Sequence, residues 1–179
     1  AMKLVGGVIN PAALLDVIHS NNIAIRWRMY KEDAAKANDI RHGDGTTILY
    51  MTVLATEGIS YKDDVGWQVT GASCVADSWD LYEVKDFDWA ADTYDIYWAD
   101  TGVVPASIQD DAGMNTSAGQ ADEFLFTGDG NATRDIWVDD FIVRNWTTNE
   151  PTWGGVAIWE RYHAGAVALP CKVVVAYTG

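Results

Sequence analysis

Residues 135–145 read Asp-Ile-Trp-Val-Asp-Asp-Phe-Ile-Val-Arg-Asn, and this run constrains the fold more than any other. On a two-residue period Trp137, Asp139, Phe141 and Val143 share one face, and Ile136, Val138, Asp140 and Ile142 share the other. Both faces are then largely apolar, which predicts a strand inside a two-layer structure rather than at a sheet edge. Asp139 falls on the face read as core, so it is expected to be buried and bonded to backbone amides or a hydroxyl.

The rest of the chain reads as short strands divided by turn residues. Ile23, Ile25, Trp27 and Met29 alternate with Ala24, Arg26, Arg28 and Tyr30, a half-buried strand with two cations on its polar face. Residues 31–45 read as a loop, 47–54 as a central strand, and 79–89 with 94–98 as a hairpin about the turn formers of 88–92. Residues 104–121 have no period and much Ser, Asn, Asp and Gly, which predicts the longest loop. Phe124 to Phe126 is a short strand, and two more at 156–162 and 171–177 predict an added C-terminal hairpin. Asn10 before Pro11 has the form of a helix N-cap, so a short helix is expected over 12–19. The length suits a single domain, residues 1–179.

Twelve basic against 26 acidic residues give a net charge of −14, and Asp far outnumbers Glu. Such a field repels phosphate backbones and anionic lipid, so neither a nucleic acid nor a membrane surface is expected as partner. No apolar run reaches the length of a membrane span. Cys74 and Cys171 match no zinc or redox spacing; they are either bridged or two buried thiols.

The late strand Val138-Asp139-Asp140-Phe141-Ile142-Val143-Arg144-Asn145, followed by Asn149-Glu150-Pro151-Thr152, resembles the closing core strand and tail of concanavalin A-like (laminin G-like) domains. Ile23 to Met29, Ser78 to Val84 and Thr93 to Trp98 are similar to earlier strands of that family, in the family's order. Ala99-Asp100-Thr101-Gly102 stands where the family has an Asn-Gly hairpin. The resemblance covers residues 20–150. It implies an all-β fold, an antiparallel β-sandwich jelly roll, to which the chain adds the N-terminal helix and the hairpin at 156–177.

The resemblance also implies three functional classes. These are a non-catalytic carbohydrate-binding or adhesion module of an extracellular or surface protein, a structural jelly-roll protein of a virion or surface assembly, and a polysaccharide-active hydrolase or lyase. Glucanases of this architecture carry a Glu-x-Asp-x-x-Glu run and its lyases a Gln-x-His pair, and neither occurs in the sequence. No catalytic residue is therefore assigned. Ring faces pack on the apolar side of pyranoses while Arg and Asp bond hydroxyls, so Arg26, Arg28, Tyr97, Asp140 and Trp67 are the candidate glycan contacts. The arginines are expected to favour uronic-acid or sulfated sugars. Trp146 and Trp153 are further candidate platforms. Asp129, Asn131 and Asp135 are the candidate ligands of a structural calcium, since hard cations take Asp and Asn oxygens from tight turns. The terminal hairpin is the expected contact to a neighbouring domain or a second copy.

Overall fold

The computed structural model describes residues 2–4, 12–19, 23–32, 38–43, 47–54, 58–100, 104–117, 121–127 and 136–146. They form β1 (Met2–Leu4), β2 (Ala12–His19), β3 (Ile23–Lys31), β4 (Asn38–Gly43), β5 (Thr47–Leu54), β6 (Gly58–Lys62), β7 (Trp67–Val69), β8 (Ser78–Asp88), β9 (Thr93–Asp100), β10 (Ala106–Gly113), β11 (Ala121–Thr127) and β12 (Ile136–Asn145). Sheet A runs β1-β12-β3-β8-β9-β10 and sheet B runs β2-β11-β4-β5-β6-β7. Every strand pairing among the described residues is antiparallel, and the chain crosses repeatedly between the sheets. This is the expected β-sandwich jelly roll.

The core lies where the inward parities of the two sheets meet. Trp27 on β3 stacks on Tyr82 of β8 at 5.6 Å and tilts onto Phe124 and Phe126 of β11 at 5.3 and 5.8 Å. Phe141 of β12 closes on the same two rings at 5.4 and 5.9 Å. The turn after β8 is held by Asp88, whose carboxylate accepts the amides of Ala90 and Ala91.

Residues 12–19 are not the expected helix but strand β2, paired with β11 from Ala12 opposite Thr127 to Asp16 opposite Glu123, and after a register shift at His19 opposite Ala121. The pairing gives β11 a partner on a side it would otherwise leave as an edge, and tertiary context overrides a cap signal that is purely local. Residues 31–45 hold β4, a central strand in which Asn38, Ile40 and His42 turn inward and are buried. Two of those three are polar, so the alternation carries no hydropathy contrast. The expected loop at 104–121 contains β10, a polar edge strand anchored by buried Ala112, with Met114 buried just beyond it.

Strand β12 keeps its pairing but not its predicted faces. Asp139 opposes Arg28 and Ile142 opposes Arg26, so β12 spends one residue more than β3 between them. The extra residue is Asp140, at φ 49°, and it reverses the parity. Before the bulge Ile136 and Val138 face the core; after it Phe141 and Val143 do. Asp139 is thus on the outer face, not in the core, and its Oδ1 accepts the Asp140 amide at 2.9 Å. A similar one-residue bulge interrupts β8 at Asp86, and the second of two in β10 falls at Asp111, both residues at positive φ. The hairpin expected at 156–177, Trp153, Cys171 and the calcium residues Asp129, Asn131 and Asp135 lie outside the described residues; Cys74 is a buried free thiol.

Candidate functional site on the outer face of sheet B

On β4 the inward turn of Asn38, Ile40 and His42 leaves Asp39 and Arg41 on the outer face of sheet B. Arg41 is in register with Tyr50 of β5 and with Leu125 of β11. Arg41 Nη2 donates to Asp39 Oδ2 at 2.8 Å and to the Tyr50 hydroxyl at 2.9 Å, and that hydroxyl donates to Asp39 Oδ2 at 2.9 Å. The guanidinium also lies over the Tyr50 ring, 4.4 Å from its centroid. Three side chains thus fix one another in a closed triangle.

The electrostatics follow from the triangle. Burial pulls the Arg41 pKa down, but the hydrogen bonds and charge of Asp39 and Tyr50 outweigh it and the net shift is upward. Burial pushes the Tyr50 hydroxyl up, and Asp39 pushes it further against a smaller opposing effect of Arg41. Both groups therefore stay protonated at neutral pH, available as donors.

Trp67 extends this cluster to the edge of the sheet. Its ring meets Tyr50 edge-on at 4.9 Å and is 48% exposed, the one large aromatic among the described residues left so open. The turn before β7 sets it there: Asp63 Oδ1 accepts the amides of Val65 and Gly66 at 2.9 and 2.7 Å, and Gly66 adopts φ 154°. Lys62 of β6 is the cross-strand partner of Trp67, on the outward parity between the core residues Ile59 and Tyr61 and the turn. The face therefore offers a ring, a hydroxyl, a guanidinium, a carboxylate and an ammonium.

The other candidate contacts lie on the opposite layer. Arg26, Arg28, Tyr97 and Asp140 all belong to the outer side of sheet A, but they are committed to neighbours. Glu83, wholly buried, takes Arg26 Nε at 2.8 Å, Lys85 Nζ at 3.3 Å and Arg144 Nη2 at 3.8 Å. Burial lowers the pKa of both arginines, and the charge of Glu83 opposes that in each. Lys85 in turn covers the Tyr97 ring at 3.8 Å and Trp146 at 4.5 Å. Arg28 Nε stands 3.7 Å from Asp140 Oδ2. Of the five residues only Trp67 is in an open cluster, and its companions Asp39, Arg41, Tyr50 and Lys62 were not among the sequence candidates. Asp39 and Arg41 would have followed from recognising β4 as a strand. Among the described residues no group of three or more His, Cys, Asp or Glu is placed to hold a metal ion.

No protein-family model matches the sequence, and no curated protein is similar to it at a significant level. Among solved structures the chain is similar to a single-residue mutant of congerin II, with a TM-score of 0.48 and 11% identity over 74% of this chain and 98% of that one. It is also similar to CG-16, a homodimeric agglutinin from chicken liver, with a TM-score of 0.46 and 10% identity over the same shares. A glycoside hydrolase family 131 β-glucanase domain from Podospora anserina gives a TM-score of 0.49 and 12% identity over 76% of this chain and 66% of that one. The chain spans 56% of the family 131 catalytic domain from Coprinopsis cinerea that it also matches. These are likenesses of fold alone.

Proposed function

We propose that this chain is a non-catalytic carbohydrate-binding module of an extracellular or surface protein, and that it binds glycan on the outer face of sheet B. The observation that carries the reading is the exposed Trp67 ring, braced on Tyr50 beside the Asp39–Arg41–Tyr50 triangle. A ring face receives the apolar side of a pyranose, and donors and acceptors already fixed in place lose little freedom when they bond its hydroxyls. Cleavage is not part of the reading: the carboxylate in the cluster, Asp39, accepts from two neighbours, whereas glycoside hydrolysis requires a pair of carboxyl groups flanking the bond.

The test is a polysaccharide panel read by affinity electrophoresis, with a reducing-end assay on the same mixtures. Retardation that is lost in Trp67→Ala, without new reducing ends, supports the module. Product release assigns a hydrolase instead. A structural role is the second reading, favoured by Val65 and Val69, which stand 86% and 65% exposed beside Trp67 along the edge of sheet B. Self-association on concentration with no glycan retarded replaces the first reading by that one.

A further inference from the structure

The two cations of the sheet B face differ in what they are bonded to. Arg41 is held by Asp39 at 2.8 Å and by Tyr50, so its charge is answered within the protein. Lys62 is not: its side chain makes no salt bridge, hydrogen bond or ring contact among the described residues. Asp63, next in the chain, folds its carboxylate back onto the amides of Val65 and Gly66, and Asp64 is exposed in the turn beyond. Lys62 is nevertheless fixed in place by its backbone, in register with Trp67 on one side. Continued across the sheet from Met51 opposite Tyr61, the same register puts it beside Tyr50. Cross-strand neighbours on one face stand about 5 Å apart at Cβ. An ammonium with no counter-ion among the described residues is thus placed within a sugar ring's width of the exposed indole.

We propose, resting on the carbohydrate reading, that the sheet B face takes an acidic glycan, with Trp67 under a pyranose ring and Lys62 on its anionic substituent. The shared chemistry is an exocyclic oxyanion, carried by a uronate or by a sulfate ester. Arg41, with its charge answered by Asp39, serves as a hydroxyl donor rather than as the reader of charge. The net charge of −14 opposes a polyanion at long range. At physiological salt, charges beyond about 8 Å are largely screened, whereas a contact with Lys62 is not. The local cation therefore decides preference, and the global field lowers the association rate.

The experiment compares a polyuronate, a sulfated galactan and the same galactan without sulfate, each against wild type, Lys62→Gln and Trp67→Ala. Equal melting temperatures of the three proteins establish that all are folded. The expected result is that wild type prefers one or both acidic polymers, and which of them identifies the oxyanion. Lys62→Gln should lose about tenfold in affinity for the acidic polymer, the scale of one charge-assisted contact, and keep its affinity for the neutral one. Trp67→Ala should lose both. Equal wild-type affinity for neutral and acidic galactan, unchanged in Lys62→Gln, overturns the acidic class and leaves the carbohydrate reading standing. No retention of any polymer overturns the carbohydrate reading itself.

Discussion

Arg26 Nε meets Glu83 Oε2 at 2.8 Å on the outer side of sheet A, yet both side chains are shut off from solvent. The carboxylate answers Lys85 and Arg144 as well, so three cations share this anion. Glu83→Gln keeps the shape and removes the charge. Because it removes a fully buried negative charge from among three cations, the variant should lose about 3 kcal/mol or more in denaturant unfolding. A loss below about 1 kcal/mol would show that the cluster is hydrated and weakly coupled.

Asp80 sets a pH dependence of unusual sign for a carboxylate. It faces inward at the start of β8, with Oδ2 accepting from the Val75 amide and the Tyr82 hydroxyl at 3.3 Å each and the Trp98 indole also bonding the carboxylate. Burial pushes its pKa up from 3.8 to about 6, against the smaller opposing effect of those bonds. The folded state then holds the proton more tightly than the unfolded chain. Its contribution is fully present below the ordinary carboxylate value and is lost as pH rises through about 6, amounting to at most about 3 kcal/mol. Asp80→Asn should flatten that part of the stability–pH curve; an unchanged slope would place the titration elsewhere.

The bulge in β12 tests what Asp contributes at positive φ. Asp140 sits at φ 49°, a conformation that Asp and Asn tolerate and β-branched residues resist. Asp140→Asn should be nearly neutral. Asp140→Val should cost about 1–2 kcal/mol in thermal or chemical unfolding. Equal stability of the two would mean that the backbone at this point relaxes freely.

Gly58 opens β6 at φ 81°, and a Cβ there would stand 2.7 Å from the Ala72 carbonyl oxygen. That oxygen also accepts the Ile59 amide at 2.6 Å, so it has no free direction in which to move. Gly58→Ala should cost more than the roughly 1 kcal/mol of the φ term alone. A variant as stable as wild type would show that the 70–72 segment can shift away without loss.

Strand β3 was legible in the sequence from its apolar inward residues Ile23, Ile25, Trp27 and Met29, and the β8–β9 hairpin from the turn at 88–92. The faces of β12 were not, because a bulge adds a residue without leaving a signature in composition. Strand β4 was hidden by its own chemistry: Asn38 and His42 point into the core, and the His42 ring packs between Phe87 and Phe124 while Nδ1 pairs with the Glu123 carbonyl at 2.6 Å. With β4 read as a loop, Asp39 and Arg41 had no face to belong to. Trp67 could be named from its turn, but its partners could not. The reading of 12–19 as a helix failed because a cap signal says nothing about the β11 backbone waiting to be paired.

The aromatic ring on which the sheet B site turns is carried by a strand of three residues, stitched to β6 on one side and, among the described residues, to nothing on the other. Such an edge opens at little cost, so its amides are expected to exchange with solvent well before those of β5 or β4. A ligand resting on both Trp67 and Tyr50 would fasten β7 to the interior of the sheet from above. Occupancy of this face would then be recorded in the backbone itself, as slowed hydrogen exchange at residues 67–69 while the core amides keep their rates.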